Sequence, residues 1–105
     1  MNAPELLNLL ASHQGRERGI SAHDLSLKAG VTERQVRTLI SQLREVGTAI
    51  CATPETGYFL AVTPEELGES CKFLHDRAMH SLRRASQMQK ISLPDLMGQL
   101  LLNQA

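Results

Sequence analysis

The stretch GVTERQVRTLISQLREVG, Gly30 to Gly47, constrains this chain more than any other. It reads as one helix with both ends marked. Thr32 caps the amino end while Gln35, three residues on, reaches back to the free backbone N–H, a T-x-x-Q capping box. Gly47 supplies a left-handed stop. Between them Val36, Leu39, Ile40, Leu43 and Val46 recur every three or four positions, the period of one buried helical face. At about 100° per residue, Arg34, Thr38 and Ser41 then lie nearly opposite that stripe, with Arg37 and Arg44 beside them. Taken alone, such a face is equally that of a solvated core helix and that of a helix built to touch something.

The residues just upstream narrow the choice. Ser21 and Asp24 form an S-x-x-D cap on a helix that runs through Ala29 and buries Leu25, with Ile20 before it as a buried residue or very short strand. Gly30 and Val31 leave only a tight turn before the Thr32 cap. Two short helices must therefore cross steeply and share an apolar corner of Leu25, Val31 and Val36, the helix-turn-helix arrangement. After Gly47 the period changes: TAICA and YFLAV are β-favouring runs joined by TPETG, so Thr48 to Val62 reads as a hairpin. A short helix over PELLNLL, with Leu6, Leu7, Leu9 and Leu10 on its apolar side, precedes the motif and is broken by HQGRERG.

The run GISAHDLSLKAGVTERQVRTLISQLREVGTAICATPETGYFLA resembles the winged helix-turn-helix domains of bacterial and phage transcriptional regulators, the biotin-repressor-like amino-terminal DNA-binding domains among them. It covers 43 of the 105 residues, and its markers are the cap, Leu25, Gly30-Val31-Thr32, Val36, Leu43, Gly47 and the Gly57-Tyr58-x-Leu60 strand. The resemblance implies a mainly α fold with a small β-hairpin wing, of the α+β class, and sequence-specific binding of double-stranded DNA. It also implies that the amino-terminal half of the second motif helix, Thr32 to Val46, enters the major groove through Thr32, Glu33, Arg34, Arg37, Thr38 and Ser41. Arginine forks fit guanine O6 and N7, glutamate accepts from cytosine N4, and hydroxyls take phosphate or base edges. Ser21, Ser26 and Lys28 would flank the groove on phosphates, as would Arg16 and Arg18 in the loop before the motif. The wings of DNA-binding relatives carry Arg or Lys at the tip; here the tip offers Glu55, which phosphates repel, so no strong wing contact is expected.

The last third lies outside the resemblance. TPEE is a capping box with Pro at the first helical position, and from Pro64 to about Gln89 nothing breaks the helix except a tolerable Gly68, a length of about 39 Å at 1.5 Å per residue. Leu67, Cys71, Leu74, Ala78, Leu82, Ala85 and Met88 stripe it, while Lys72, Arg83 and Lys90 face away. KIS turns the chain and Ser92 with Asp95 caps a short final helix, whose apolar face is Leu93, Leu96, Met97, Leu100 and Leu101. The expected organisation is a winged domain over 1–62 and a helical extension over 63–105. That extension either closes a monomer or, as preferred here, joins two subunits through Leu74, Ala78, Leu82, Ala85, Leu96, Met97, Leu100 and Leu101.

Composition sets outer bounds. With two Phe, one Tyr and no Trp but 42% apolar residues, the core must be aliphatic. No apolar run is long enough to span a bilayer and no signal peptide opens the chain, so a cytoplasmic protein is expected. Cys51 and Cys71 are isolated and the four histidines scattered, so neither a metal nor a cofactor is expected, nor, without a phosphate loop, nucleophile elbow or acid/base pair, an enzyme. No small-molecule effector is expected, since little of the sequence lies outside the winged domain and its helical extension. The net charge of zero argues against avid non-specific nucleic-acid binding, with residues 48 to 68 acidic and a small basic excess on either side. The alternative reading is a winged helix that binds a protein, as a phage-encoded inhibitor would, through its acidic wing and Met-bearing helices.

Overall fold

The computed structural model describes residues 1–103 and divides into two compact units, Met1–Cys71 and Lys72–Ala105. The elements run α1 (Ala3–Leu10), a 3₁₀ turn (Arg16–Arg18), α2 (Ala22–Ala29), α3 (Glu33–Glu45), β1 (Ile50–Thr53), β2 (Gly57–Leu60), α4 (Pro64–Gln89) and α5 (Leu93–Asn103). The chain is thus mainly helical with one two-stranded antiparallel sheet. Among the described residues no helix is long and apolar enough to cross a membrane.

In the first unit, α1, α2 and α3 close around an aliphatic core. Leu6 and Leu10 from α1, Leu25 from α2, and Val36, Ile40 and Leu43 from α3 are buried together with Ile20 and Ile50, and Val31 packs against them from the turn. Each of these helices starts on a side-chain cap: Ser21 Oγ accepts from Asp24 N and Thr32 Oγ1 from Gln35 N as expected, and Asn2 Oδ1 accepts from Glu5 N. Gly30 ends α2 at φ 69, a left-handed conformation that only glycine adopts freely. Gly47 follows the end of α3 with φ 92.

The hairpin pairs Ile50 with Leu60 through to Thr53 with Gly57, leaving Pro54, Glu55 and Thr56 as a three-residue loop. Gly57 closes it at φ 74, the left-handed position that such loops place after their turn. The other edge of β2 is also used. Ile20 and Tyr58 exchange backbone hydrogen bonds at 2.8 and 2.7 Å, and Gly15 N donates to Leu60 O at 2.8 Å, so the segment before α2 lies along the strand.

This unit runs past Val62 to Cys71 because the first turns of α4 are tied into it. Glu66 N donates to Thr63 Oγ1, while the Glu66 carboxylate accepts from Val62 N at 2.9 Å and from Arg16 N at 2.7 Å. Behind them the buried Cys51 thiol donates to Glu66 O at 3.6 Å.

In the second unit α4 continues to Gln89, and Lys90 turns the chain at φ 57 with Ile91 N bonded to Ser86 O at 3.0 Å. Ser92 Oγ then caps α5. Among this unit's described residues only Ser86 and Leu96 are buried.

Two expected placements are overturned. Val46 does not extend the α3 stripe: it leaves the helix as its C-cap and is 80% exposed. Leu96 is not open to a second subunit, being 5% exposed within its own chain.

Candidate nucleic-acid interface

A closed cap and a buried stripe orient α3. Thr32 N donates to Gln35 Oε1 at 2.9 Å and Gln35 N to Thr32 Oγ1 at 3.1 Å, so the capping box is closed in both directions. The buried stripe of Val36, Ile40 and Leu43 then fixes the rotation of the helix about its axis. The side chains left outside include Glu33, Arg34, Arg37, Thr38 and Ser41, all exposed. Arg37 lies at 4.0 Å from the Glu33 carboxylate, a solvated i,i+4 pair that contributes little and yields readily to another anion. Thr38 Oγ1 donates to Arg34 O at 3.1 Å, which engages its one hydrogen and leaves the oxygen able only to accept.

The hairpin turn lies beside this face. Ser21 at the start of α2, Arg37 on α3, and Thr53, Glu55 and Thr56 of the turn line one shallow depression. Periodicity had no means of showing that grouping, because it depends on how β1 leaves α3. Thr56 N donates to Thr53 Oγ1 at 3.0 Å and the two hydroxyls bond each other at 2.7 Å, so the turn is internally satisfied around the exposed Glu55.

Of the flanking residues expected on phosphates, the structure keeps some and withdraws others. Lys28 is exposed, with its ammonium at 3.4 Å from His13 Nε2; the other ring nitrogen of His13 donates to Arg18 O at 2.8 Å, which sets that tautomer. Ser21 and the Arg18 side chain are also exposed. Ser26 is not available: it is buried and its hydroxyl donates to His23 O at 2.6 Å. Arg16 stays exposed, with its guanidinium in a solvated pair with Glu69 and its backbone N–H on Glu66. Arg44, placed beside the outer face by its period, instead donates Nε–H to Ile50 O at 2.9 Å and holds β1 against the end of α3.

Among the described residues no cluster of three or more His, Cys, Asp or Glu side chains is placed to hold a metal ion. Burial pushes the Cys51 thiol up, which keeps it protonated and inert. No protein-family model, curated protein or solved structure matches this chain.

Proposed function

We propose that the protein is a winged helix-turn-helix regulator that reads double-stranded DNA with the amino-terminal half of α3. The observation that carries this reading is a division of labour among the polar side chains of the first unit. Arg16, Arg44 and Ser26 are held by carboxylates or carbonyls of the fold, whereas Arg34 and Ser41 have no such partner and Arg37 has only a 4.0 Å contact. The unengaged groups share one exposed helix face whose pitch and rotation are set by the capping box and the core. In this reading Arg34 and Arg37 fork onto guanine edges and Glu33 accepts from cytosine, while Thr32, Thr38, Ser41, Ser21, Lys28 and Arg18 take phosphates or further edges. The hairpin is the wing, and its Glu55 keeps the tip off the backbone.

The protein acts as a cytoplasmic two-fold dimer in this account, without cofactor or effector. Leu74, Ala78, Met97, Leu100 and Leu101 are exposed on α4 and α5, and Leu101 is 68% exposed, which gives a second subunit apolar side chains to cover. The same surface supports the second reading, a winged helix that binds another protein. Selection from random duplexes separates the two. A DNA reader enriches one site with two-fold symmetry, and a protein-binding module enriches none.

A further inference from the structure

The two units divide the charge unequally. Met1–Cys71 holds six Lys or Arg and nine Asp or Glu, a net charge of −3, and two of its cations, Arg16 and Arg44, are bound within the fold. Lys72–Ala105 holds five Lys or Arg and two Asp or Glu, a net charge of +3. A duplex held by the first unit alone would meet a surface of its own sign around four free cations. Affinity for DNA rises with the number of phosphates neutralised, so a basic face elsewhere in the chain would offset that deficit.

On α4, Phe73, Arg77, His80 and Arg84 follow one another at spacings of four, three and four, which places them on one helix face. All four are exposed. The face is turned by roughly 100° from the apolar stripe through Leu74, Ala78 and Ala85, so a partner helix on that stripe leaves it open. Its side chains brace each other: the Arg77 guanidinium lies over the Phe73 ring, 6.0 Å from its centroid, and Arg84 Nη2 donates to His80 Nε2 at 3.0 Å. The nearest acid, Asp76, is paired with Lys72 at 3.8 Å. Arg77 and Arg84 are separated by about 10.5 Å along the axis, a span of a few phosphates at roughly 3.4 Å of rise each along one strand.

We infer that the Phe73–Arg77–His80–Arg84 face of α4 is a second nucleic-acid contact, which takes backbone phosphates of duplex DNA without reading sequence. The inference rests on the DNA-binding reading of α3 and assigns much of the affinity to the basic unit and the base selectivity to the acidic one. Arginine suits the role because a braced planar fork binds phosphate with little ordering still to be done.

The test is the salt dependence of full-length protein binding to a random-sequence duplex, between about 50 and 200 mM salt. Arg77→Gln/Arg84→Gln keeps helix propensity and removes both forks. The slope of log affinity against log salt should become shallower by about 1.8, at about 0.9 for each phosphate no longer neutralised. Arg83→Gln/Lys90→Gln, which removes the same charge away from that face and leaves the Lys72–Asp76 pair in place, should leave the slope near that of the unaltered protein. Equal slopes for Arg77→Gln/Arg84→Gln and the unaltered protein would overturn this inference while leaving α3 as the DNA reader, and would leave the face to an acidic protein surface. Absence of duplex binding by the unaltered protein at low salt would overturn the reading of α3 itself.

Discussion

The carboxylate of Glu66 accepts the backbone N–H of Arg16, fifty residues earlier in the chain, at 2.7 Å. With Val62 N on its other oxygen, this one side chain joins the loop before α2 to the start of α4. The N–H groups of Val62 and Arg16 hold its carboxyl below the ordinary glutamate range. A depressed folded-state value means that its stabilisation is complete above the ordinary range and is lost as pH falls through the folded-state value. Glu66→Gln should therefore lower the thermal midpoint at neutral pH, and the gap to the unaltered protein should close in acid. Thermal unfolding followed across acid pH checks this, and a gap independent of pH contradicts it.

Gly57 should tolerate no side chain. A Cβ there would stand 2.4 Å from Ile20 O and 2.8 Å from Ser21 N, both backbone atoms, in a residue already at φ 74. Gly57→Ala should cost roughly 3 kcal/mol. Gly30→Ala meets nothing within 4 Å and should cost only its left-handed backbone, about 1 kcal/mol. Denaturant unfolding of the two variants measures the difference directly.

Ile40 and Val46 belong to one stripe in the sequence but not in the fold. Ile40→Ala should cost about 2–5 kcal/mol through reduced burial and cavity formation, whereas Val46→Ala should stay within about 0.5 kcal/mol. Chemical denaturation of both variants checks the contrast.

That pair also marks what the sequence carries. Features set by neighbours in the chain were legible: the Thr32–Gln35 box, the Gly30 turn, the hairpin, and α4 from Pro64 to Gln89. Features set by distant contacts were not. Periodicity places Val46 on the buried side but does not see that the backbone leaves the helix there. It places Arg44 beside the outer face because its partner, Ile50 O, comes from another element. Leu96 looked as available as Leu100, yet it is buried within its own chain.

The open apolar face of α4 and α5 should hold two copies together. Leu74→Gln/Leu101→Gln alters two exposed positions and should leave the helical content unchanged while moving the protein from dimer to monomer. Sedimentation at tens of micromolar, on the order of concentrations where weak dimers persist, decides the matter. An unaltered protein that sediments as a monomer there contradicts the dimer.

The most direct test of α3 as a reader is the ratio of affinities for a selected site and a random duplex, measured with the unaltered protein and with Arg34→Ala. The exposed Arg34 has no structural partner, so its removal should leave the fold intact. Arg34→Ala should lower affinity by about 1–3 kcal/mol on the selected site, with little change on the random duplex and relaxed preference at one base pair. Equal losses on both duplexes would contradict base reading by Arg34.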